Sequence, residues 1–132
     1  MIKKTVTYTD LNGKERTESF YFHFYESEIL EMELSVDGGF AERVQKMIDA
    51  QDQPSLIAVI KKFVIDAYGV KSDDGKQFVK NEEVRNAFVQ CPAYSKIFME
   101  LVLDDKVAAE FVKGVVPAEM AGRVAAKMAA NN

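Results

Sequence analysis

The stretch that decides the fold is Lys3–Phe24, KKTVTYTDLNGKERTESFYFHF, which predicts a β-hairpin at the start of an otherwise helical chain. Residues Lys3–Thr9 are rich in β-branched side chains and alternate in polarity, and Thr17–Phe24 alternate with aromatic side chains, as strands do. The Asn12-Gly13 pair between them is compatible with a two-residue type I′ turn. Such a turn would pair even-numbered residues of one strand with odd-numbered residues of the other and would place their apolar side chains on opposite faces. We therefore favour a three-residue loop, Leu11–Gly13, with Gly13 in the left-handed backbone conformation.

The three-residue loop places the apolar side chains of both strands on one face of the hairpin. That face carries Ile2, Val6, Tyr8, Phe20 and Phe22. Small hydroxyl side chains and one tyrosine occupy the other face. A register slip of one residue would expose the row of aromatic side chains to water. Two strands alone are marginal in water, so the hairpin needs helices of its own chain, or another chain, to complete it.

Apolar residues at helical spacing predict a succession of short helices after the hairpin. The predicted helices are Glu28–Leu34 with Ser27 as N-cap, Phe40–Ala50, a central helix from Pro54 that stops at Gly69, a helix capped by Asn81 and running through Gln90, one that starts at Pro92, one from Asp104 or Asp105 through Lys113, and a last one from Pro117 to about Met128. Residues Val70–Lys80 break the helical pattern, and Asp73-Asp74-Gly75 is typical of a turn that can form the tip of a small hairpin.

These elements predict a fold that is mainly α, with an N-terminal β-hairpin (about 3–24) followed by a compact bundle of five to six short helices. We expect one domain over residues 1–132, with the hairpin in 1–25, the helical part in 27–128 and a frayed tail in 129–132. The chain of 132 residues is long enough to bury a core without disulfides or metals.

The composition argues against several classes of function. A net charge of −4 gives no electrostatic basis for binding phosphate backbones, so we expect no nucleic-acid partner unless Lys61, Lys62, Lys71, Lys76 and Lys80 gather on one face. The single cysteine, Cys91, cannot form an internal disulfide and fits a reducing compartment. No apolar run is long enough for a membrane span or placed like a signal peptide, so we expect no membrane partner and a cytoplasmic location.

No pattern in the sequence predicts catalysis. The only histidine, His23, falls on the polar face of a predicted strand with no nucleophile or carboxylate assigned to it, which is typical of an ordinary surface histidine. One His and one Cys cannot form a zinc site in a single chain, and Asp73-Asp74-Gly75 lacks the spacing of a calcium loop. We therefore expect no catalytic residues, no metal and no cofactor.

Two features of the sequence are compatible with binding another polypeptide. The outer edge of the hairpin carries unpaired backbone groups beside Thr5, Thr7 and Thr9, and edge addition is an established way of taking up a chain; alternatively, the neighbouring lysines only keep this edge soluble. Methionines suit grooves that accept varied partners, although at helical spacing they also serve as core filler. The candidate partner-binding residues are Thr5, Thr7, Thr9, Met47, Ile57 and Met99.

Several blocks of the chain, taken in order, resemble the tail assembly chaperones of long, non-contractile-tailed phages and their prophages. The blocks are Lys4–Lys14 with the aromatic strand Phe20–Phe22, then Glu31–Gly39, Ala67–Lys76 with Phe78–Lys80, Ala93–Leu101 and Ala109–Pro117. No block is a catalytic signature, and the resemblance rests on their order over about Lys3–Pro117.

The resemblance implies a non-enzymatic role during tail morphogenesis. Chaperones of this family bind the long, hydrophobic tape measure protein and keep it soluble until the major tail protein polymerises around it, so these two proteins are the implied partners. They leave before the virion is mature, and many are made in two lengths by a ribosomal frameshift. The family has no shared active residues, so no site is transferred. A structural tail or connector subunit retained in the virion is the alternative, and the uncovered strand edge also makes a homo-oligomer an open prospect.

Overall fold

The computed structural model describes residues 1–35, 37–104, 106–108 and 110–111. In chain order the elements are β1 (Ile2–Thr9), β2 (Glu15–Phe22), α1 (Glu26–Leu34), α2 (Phe40–Asp49), α3 (Gln53–Ala67), β3 (Tyr68–Lys71), β4 (Phe78–Val79), α4 (Glu82–Val89) and α5 (Pro92–Leu103). The chain is helical again at 106–108 and at 110–111. The predicted helix from Pro117 and the predicted frayed tail lie outside the described residues.

The first hairpin forms as predicted, with a three-residue loop. Each residue of β1 pairs antiparallel with one of β2 without a bulge between Ile2↔Phe22 and Thr9↔Glu15. At the loop, the Gly13 amide donates to the Asp10 carbonyl at 3.0 Å and Gly13 has φ +81°, a backbone conformation that glycine adopts at little cost. The Asp10 carboxylate accepts from the Lys14 amide at 2.9 Å, which fixes the reversal of the chain.

The fold class predicted from the sequence is wrong, because the hairpin is half of a larger sheet. The strands form one four-stranded antiparallel sheet in the order β1-β2-β3-β4, and the fold is mixed α/β rather than mainly α. Strand β3 joins β2 through the pairs Tyr21↔Gly69 and Phe22↔Tyr68. The sequence predicted the turn at 73–75 but not this pairing, since α1, α2 and α3 separate the two strands and no local pattern encodes contact between them.

The core lies under the face of the sheet that carries the even-numbered aromatic residues of β2. Phe22 is 0% exposed, and its ring centroid lies 5.8 Å from that of Phe88 and 5.1 Å from that of Phe111. Tyr68 stacks on Phe88 with centroids 4.0 Å apart. Helix α4 and the helical residues 110–111 therefore cover this part of the sheet with aromatic contacts, each of which adds about 0.5–1.5 kcal/mol beyond area burial.

Side-chain caps fix where several helices begin. Helix α1 starts at Glu26 with Tyr25 as N-cap, so the predicted N-cap Ser27 is wrong; the Tyr25 amide instead donates to the Glu28 carboxylate at 2.9 Å. Asp52 caps α3 and Asn81 caps α4, through bonds to the Ser55 and Val84 amides. The predictions that a helix starts after Asn81 and that another starts at Pro92 are confirmed.

Candidate protein-binding surfaces

An apolar groove lies between α1, α2 and α3. It encloses about 260 Å³. The walls come from all three helices, and the lining residues are Met32, Ser35, Phe40, Arg43, Met47, Ser55, Ala58, Val59, Lys62, Phe63 and Asp66. The sulfur-containing and aromatic side chains of this lining therefore remain accessible instead of being enclosed in a core.

The segment between α1 and α2 contains two glycines in left-handed conformations. Gly38 and Gly39 have φ +83° and +93°, which glycine adopts at little cost and other residues rarely adopt. A Cβ on Gly38 would also lie 2.8 Å from the Glu42 carboxylate, but this is the movable end of a side chain, so the backbone conformation is the stronger reason for glycine there. Helix α2 begins directly after this pair, and its Phe40 and Met47 are half-buried on the groove wall.

Charged side chains mark the rim of the groove. The Lys62 ammonium lies 2.7 Å from the Asp66 carboxylate, one turn along α3. Arg43 faces the groove from α2 and is exposed. An apolar segment lying in the groove would therefore have polar groups of both signs along its margins, as helix-in-groove complexes do.

The second surface is the free edge of β1 together with the outer side of α5, and we refer to it as the edge surface. The Asp10 amide bonds the Lys14 carbonyl at 2.8 Å across the hairpin, so by alternation Tyr8, Val6 and Lys4 bond to β2. The backbone groups of Lys3, Thr5, Thr7 and Thr9 then point away from β2. Four donor–acceptor positions along β1 are consequently directed to the outside of the sheet.

Helix α5 supplies the rest of the edge surface. Lys96, Met99, Glu100 and Leu103 lie at helical spacing along one side of α5, and all four are exposed. The Lys96 ammonium donates to the Thr7 carbonyl, and Lys4 lies 3.5 Å from the Glu100 carboxylate. Met99 and Leu103, which are 46% and 76% exposed, therefore lie on the helix flank beside the strand edge.

The predicted partner-binding residues fall into these two surfaces, with one exception. Thr5, Thr7 and Thr9 are exposed on β1, and Met99 lies on the adjoining helix. Met47 lies in the groove, 
whereas Ile57 is half-buried on α3 and does not line it.

Sequence reasoning missed most of the groove. Met47 was predicted as a partner-binding residue, whereas Phe40 was not, because its spacing is that of any amphipathic helix. Met32 and Phe63, on α1 and α3, also line the groove and were not predicted as partner-binding residues. The local signals were the methionines and the Gly38-Gly39 pair, which separates α1 from α2.

Several titratable side chains among the described residues take part in packing contacts. Lys80 reaches back to α1, where its ammonium lies 2.8 Å from the Glu28 carboxylate and 4.6 Å from the centre of the Phe24 ring. Burial lowers the pKa of Lys80, against the opposing effect of Glu28. A hydrogen bond to Glu18 is the main cause of the raised pKa of Tyr8. No group of acidic, histidine or cysteine side chains within the described residues is arranged to hold a metal ion.

The expectation that His23 is an ordinary surface residue is wrong. The side chain is half-buried, its ring lies 5.1 Å from that of Tyr25, and within the described residues its Nδ1 atom is buried without a hydrogen-bond partner. Burial lowers the pKa of His23. Cys91 is half-buried at the N-cap position of α5. Of the five lysines named above, Lys62 and Lys80 are each paired with a carboxylate, and Lys71 lies 5.0 Å above the Tyr21 ring.

An open apolar groove and an outward-facing strand edge are surfaces that bind other polypeptides, and they define this α/β fold as a candidate protein-binding domain. A family model described as phage tail assembly chaperone matches residues 1–132, the whole chain. The chain therefore belongs to the phage tail assembly chaperone family, which confirms the resemblance and implies a non-enzymatic role. No curated protein and no solved structure matches the chain. Among the described residues, no helix is both long enough and apolar enough to cross a membrane.

Proposed function

We propose that this chaperone binds the tape measure protein and keeps it soluble during tail morphogenesis, by holding amphipathic helices of that protein in the groove between α1, α2 and α3. The observation that supports the proposal is the groove itself, where Met32, Phe40, Met47 and Phe63 remain accessible in a folded chain. Flexible thioethers adapt to different apolar side chains, which suits a partner whose sequence varies along its length.

The proposal also includes release of the tape measure protein by the chaperone. A half-buried wall offers limited apolar area to any one helix, so each contact is weak and many copies act along one long partner. Growth of the major tail protein around the tape measure protein then displaces the chaperone, which makes the major tail protein a second, competing partner. The chaperone accordingly acts in the host cytoplasm and is absent from the mature virion; neither nucleic acid nor a membrane takes part in this scheme.

Co-expression with the tape measure protein tests this proposal. We expect the wild-type chain to raise the soluble fraction of the tape measure protein and to co-purify with it. Met47→Glu, which puts a charge in the groove, should abolish both effects. The matched control is Leu30→Glu on α1, where the native side chain is 54% exposed and lies outside the groove lining. Unchanged solubility and recovery with the wild-type chain would overturn the proposal, and equal loss in both variants would exclude the groove as the site.

Mass spectrometry of purified virions separates a chaperone from a structural tail or connector subunit. We expect the chain to be absent from mature particles and present in lysates of infected cells. Recovery at a fixed ratio to the major tail protein would favour the structural role instead.

A further inference from the structure

We propose that the edge surface pairs with the edge surface of a second copy of this chain, with the two β1 strands antiparallel about a two-fold axis. The resulting dimer has one continuous eight-stranded sheet. This inference concerns a different surface from the groove and does not depend on what the groove binds.

The backbone of β1 is suited to accept a strand. All eight residues pair with β2 without a bulge, and no proline occurs in the strand, so its outer side presents a regular series of donors and acceptors. The backbone groups that point outward are those of Lys3, Thr5, Thr7 and Thr9, which are arranged symmetrically about Val6. A two-fold axis at Val6 pairs Thr5 with Thr7 of the second copy, and Lys3 with Thr9 of the second copy.

The exposed face of the sheet already carries the side-chain pattern that such pairing extends. Thr5 shares a hydrogen bond with Ser19 at 3.0 Å, and Thr7 shares one with Thr17 at 2.9 Å. Antiparallel pairing about Val6 places Thr7 of the second copy directly beside Thr5, on the same face. The hydroxyl rows would then continue across the axis, where threonine pairs are favourable cross-strand neighbours.

The charges along β1 are also complementary to those of a reversed copy. Lys3 and Lys4 lie near the start of the strand and Asp10 follows its end, and no acidic residue lies between them. Antiparallel pairing sets the basic start of each strand beside Asp10 of the other copy. Like charges are not opposed, because the lysines of the two copies lie at opposite ends of the paired region.

Helix α5 strengthens the same arrangement. Lys96 lies beside Thr7 and Glu100 beside Lys4, so α5 runs antiparallel to β1 with a positive group on one side of Val6 and a negative group on the other. The two-fold axis brings Lys96 towards Glu100 of the second copy, and Glu100 towards Lys96 of the second copy. The exposed side chains of Met99 and Leu103 lie on the same flank and would lose contact with water.

Lys96 has two successive roles in this proposal. In the single chain the Lys96 ammonium donates a hydrogen bond to the Thr7 carbonyl. The Thr5 amide of a second copy requires the same carbonyl as its acceptor. Pairing moves the ammonium from this carbonyl to the Glu100 carboxylate of the second copy. Lys96 thus protects the edge of an isolated chain, as lysines on edge strands do, and joins the interface once two chains meet.

Charge reversal provides the decisive experiment. Sedimentation velocity over a concentration series should show wild-type chain at twice the monomer mass. Lys96→Glu places two acidic side chains from each copy at the interface and Glu100→Lys places two basic ones, so each variant alone should sediment as a monomer. An equal mixture of the two variants should restore the doubled mass, because every pair across the axis is then of opposite sign. A wild-type chain that stays monomeric throughout, or a mixture that does not associate, overturns the proposal.

A second pair of variants tests the strand contact itself. Thr7→Pro removes an amide that points outward and takes no part in the β1–β2 ladder, so the fold is retained while strand addition is blocked. Thr7→Ala loses the same hydroxyl but keeps the amide and serves as the matched control. We expect the alanine variant to dimerise and the proline variant to be monomeric with wild-type circular dichroism. A proline variant that dimerises like wild type shows that the copies do not meet through β1.

Discussion

Two regions of the molecule bury their apolar side chains to different extents. Under the sheet, α4 and α5 close an aromatic core in which Phe22, Phe88 and Ile97 are at most 2% exposed. Around the groove, α1, α2 and α3 leave Met32, Phe40 and Met47 only half-buried. The comparison indicates that tight packing and accessible apolar surface lie in different regions, which leaves the groove available to the proposed partner.

The largest effect on stability is expected at the centre of the aromatic core. Phe22→Ala removes a ring that contacts Tyr68, Phe88 and Phe111 and leaves a cavity between the sheet and the helices. We expect a loss of about 3–5 kcal/mol in the free energy of unfolding, measured by urea denaturation. A loss below about 1 kcal/mol would mean that the core under the sheet is as loosely packed as the groove.

A smaller effect is expected where β3 meets β4. A Cβ on Gly69 would lie 2.7 Å from the ring of Phe78, so Gly69→Ala forces that ring to move. Overpacking of this kind costs about 1–3 kcal/mol, again measured by urea denaturation. The same substitution in a Phe78→Ala background should cost much less, and an equal cost in both backgrounds would exclude the ring as the cause.

Substitution in the groove should have little effect on stability. Met47→Ala removes a half-buried side chain from an open wall, and we expect a loss of about 1 kcal/mol or less in the free energy of unfolding. The same variant should weaken recovery of the tape measure protein. A loss as large as that of Phe22→Ala would show that the groove is part of the cooperative core, contrary to the separation of the two regions.

The smallest effect concerns the hairpin loop and depends on pH. The Arg16 guanidinium, 2.6 Å from the Asp10 carboxylate, is the main reason why the pKa of Asp10 is lowered, with a further contribution from the Lys14 amide. A lowered pKa in the folded state stabilises the fold above the unfolded value of about 3.9, and this stabilisation is lost as the pH falls through the folded value. The urea midpoint of wild type should therefore exceed that of Asp10→Asn at pH 7, and the difference should shrink below about pH 4. A difference that does not change with pH would contradict the ion pair.

The sequence predicted local structure better than it predicted assembly. Alternation and turn chemistry were sufficient for the β1–β2 hairpin, because Asp10 and Gly13 encode their own loop. The four-stranded sheet was missed because the pairing of Phe22 with Tyr68 joins residues from separate parts of the chain. The methionine pattern marked Met47 as a candidate partner-binding residue, but the sequence could not show whether its surroundings would close, since that depends on how α1, α2 and α3 pack together.

The long-range pairing of β2 with β3 has a consequence for the order of folding during translation. The β1–β2 pairs can form once Phe22 has left the ribosome, since the two strands are neighbours in the sequence. Its aromatic face must then wait for Tyr68, and after that for Phe88, before it is covered. A nascent chain of this protein therefore exposes its aromatic face from position 22 until position 88 has been made, about half of the chain. Slow codons between positions 23 and 67 should increase its aggregation more than slow codons placed after position 88.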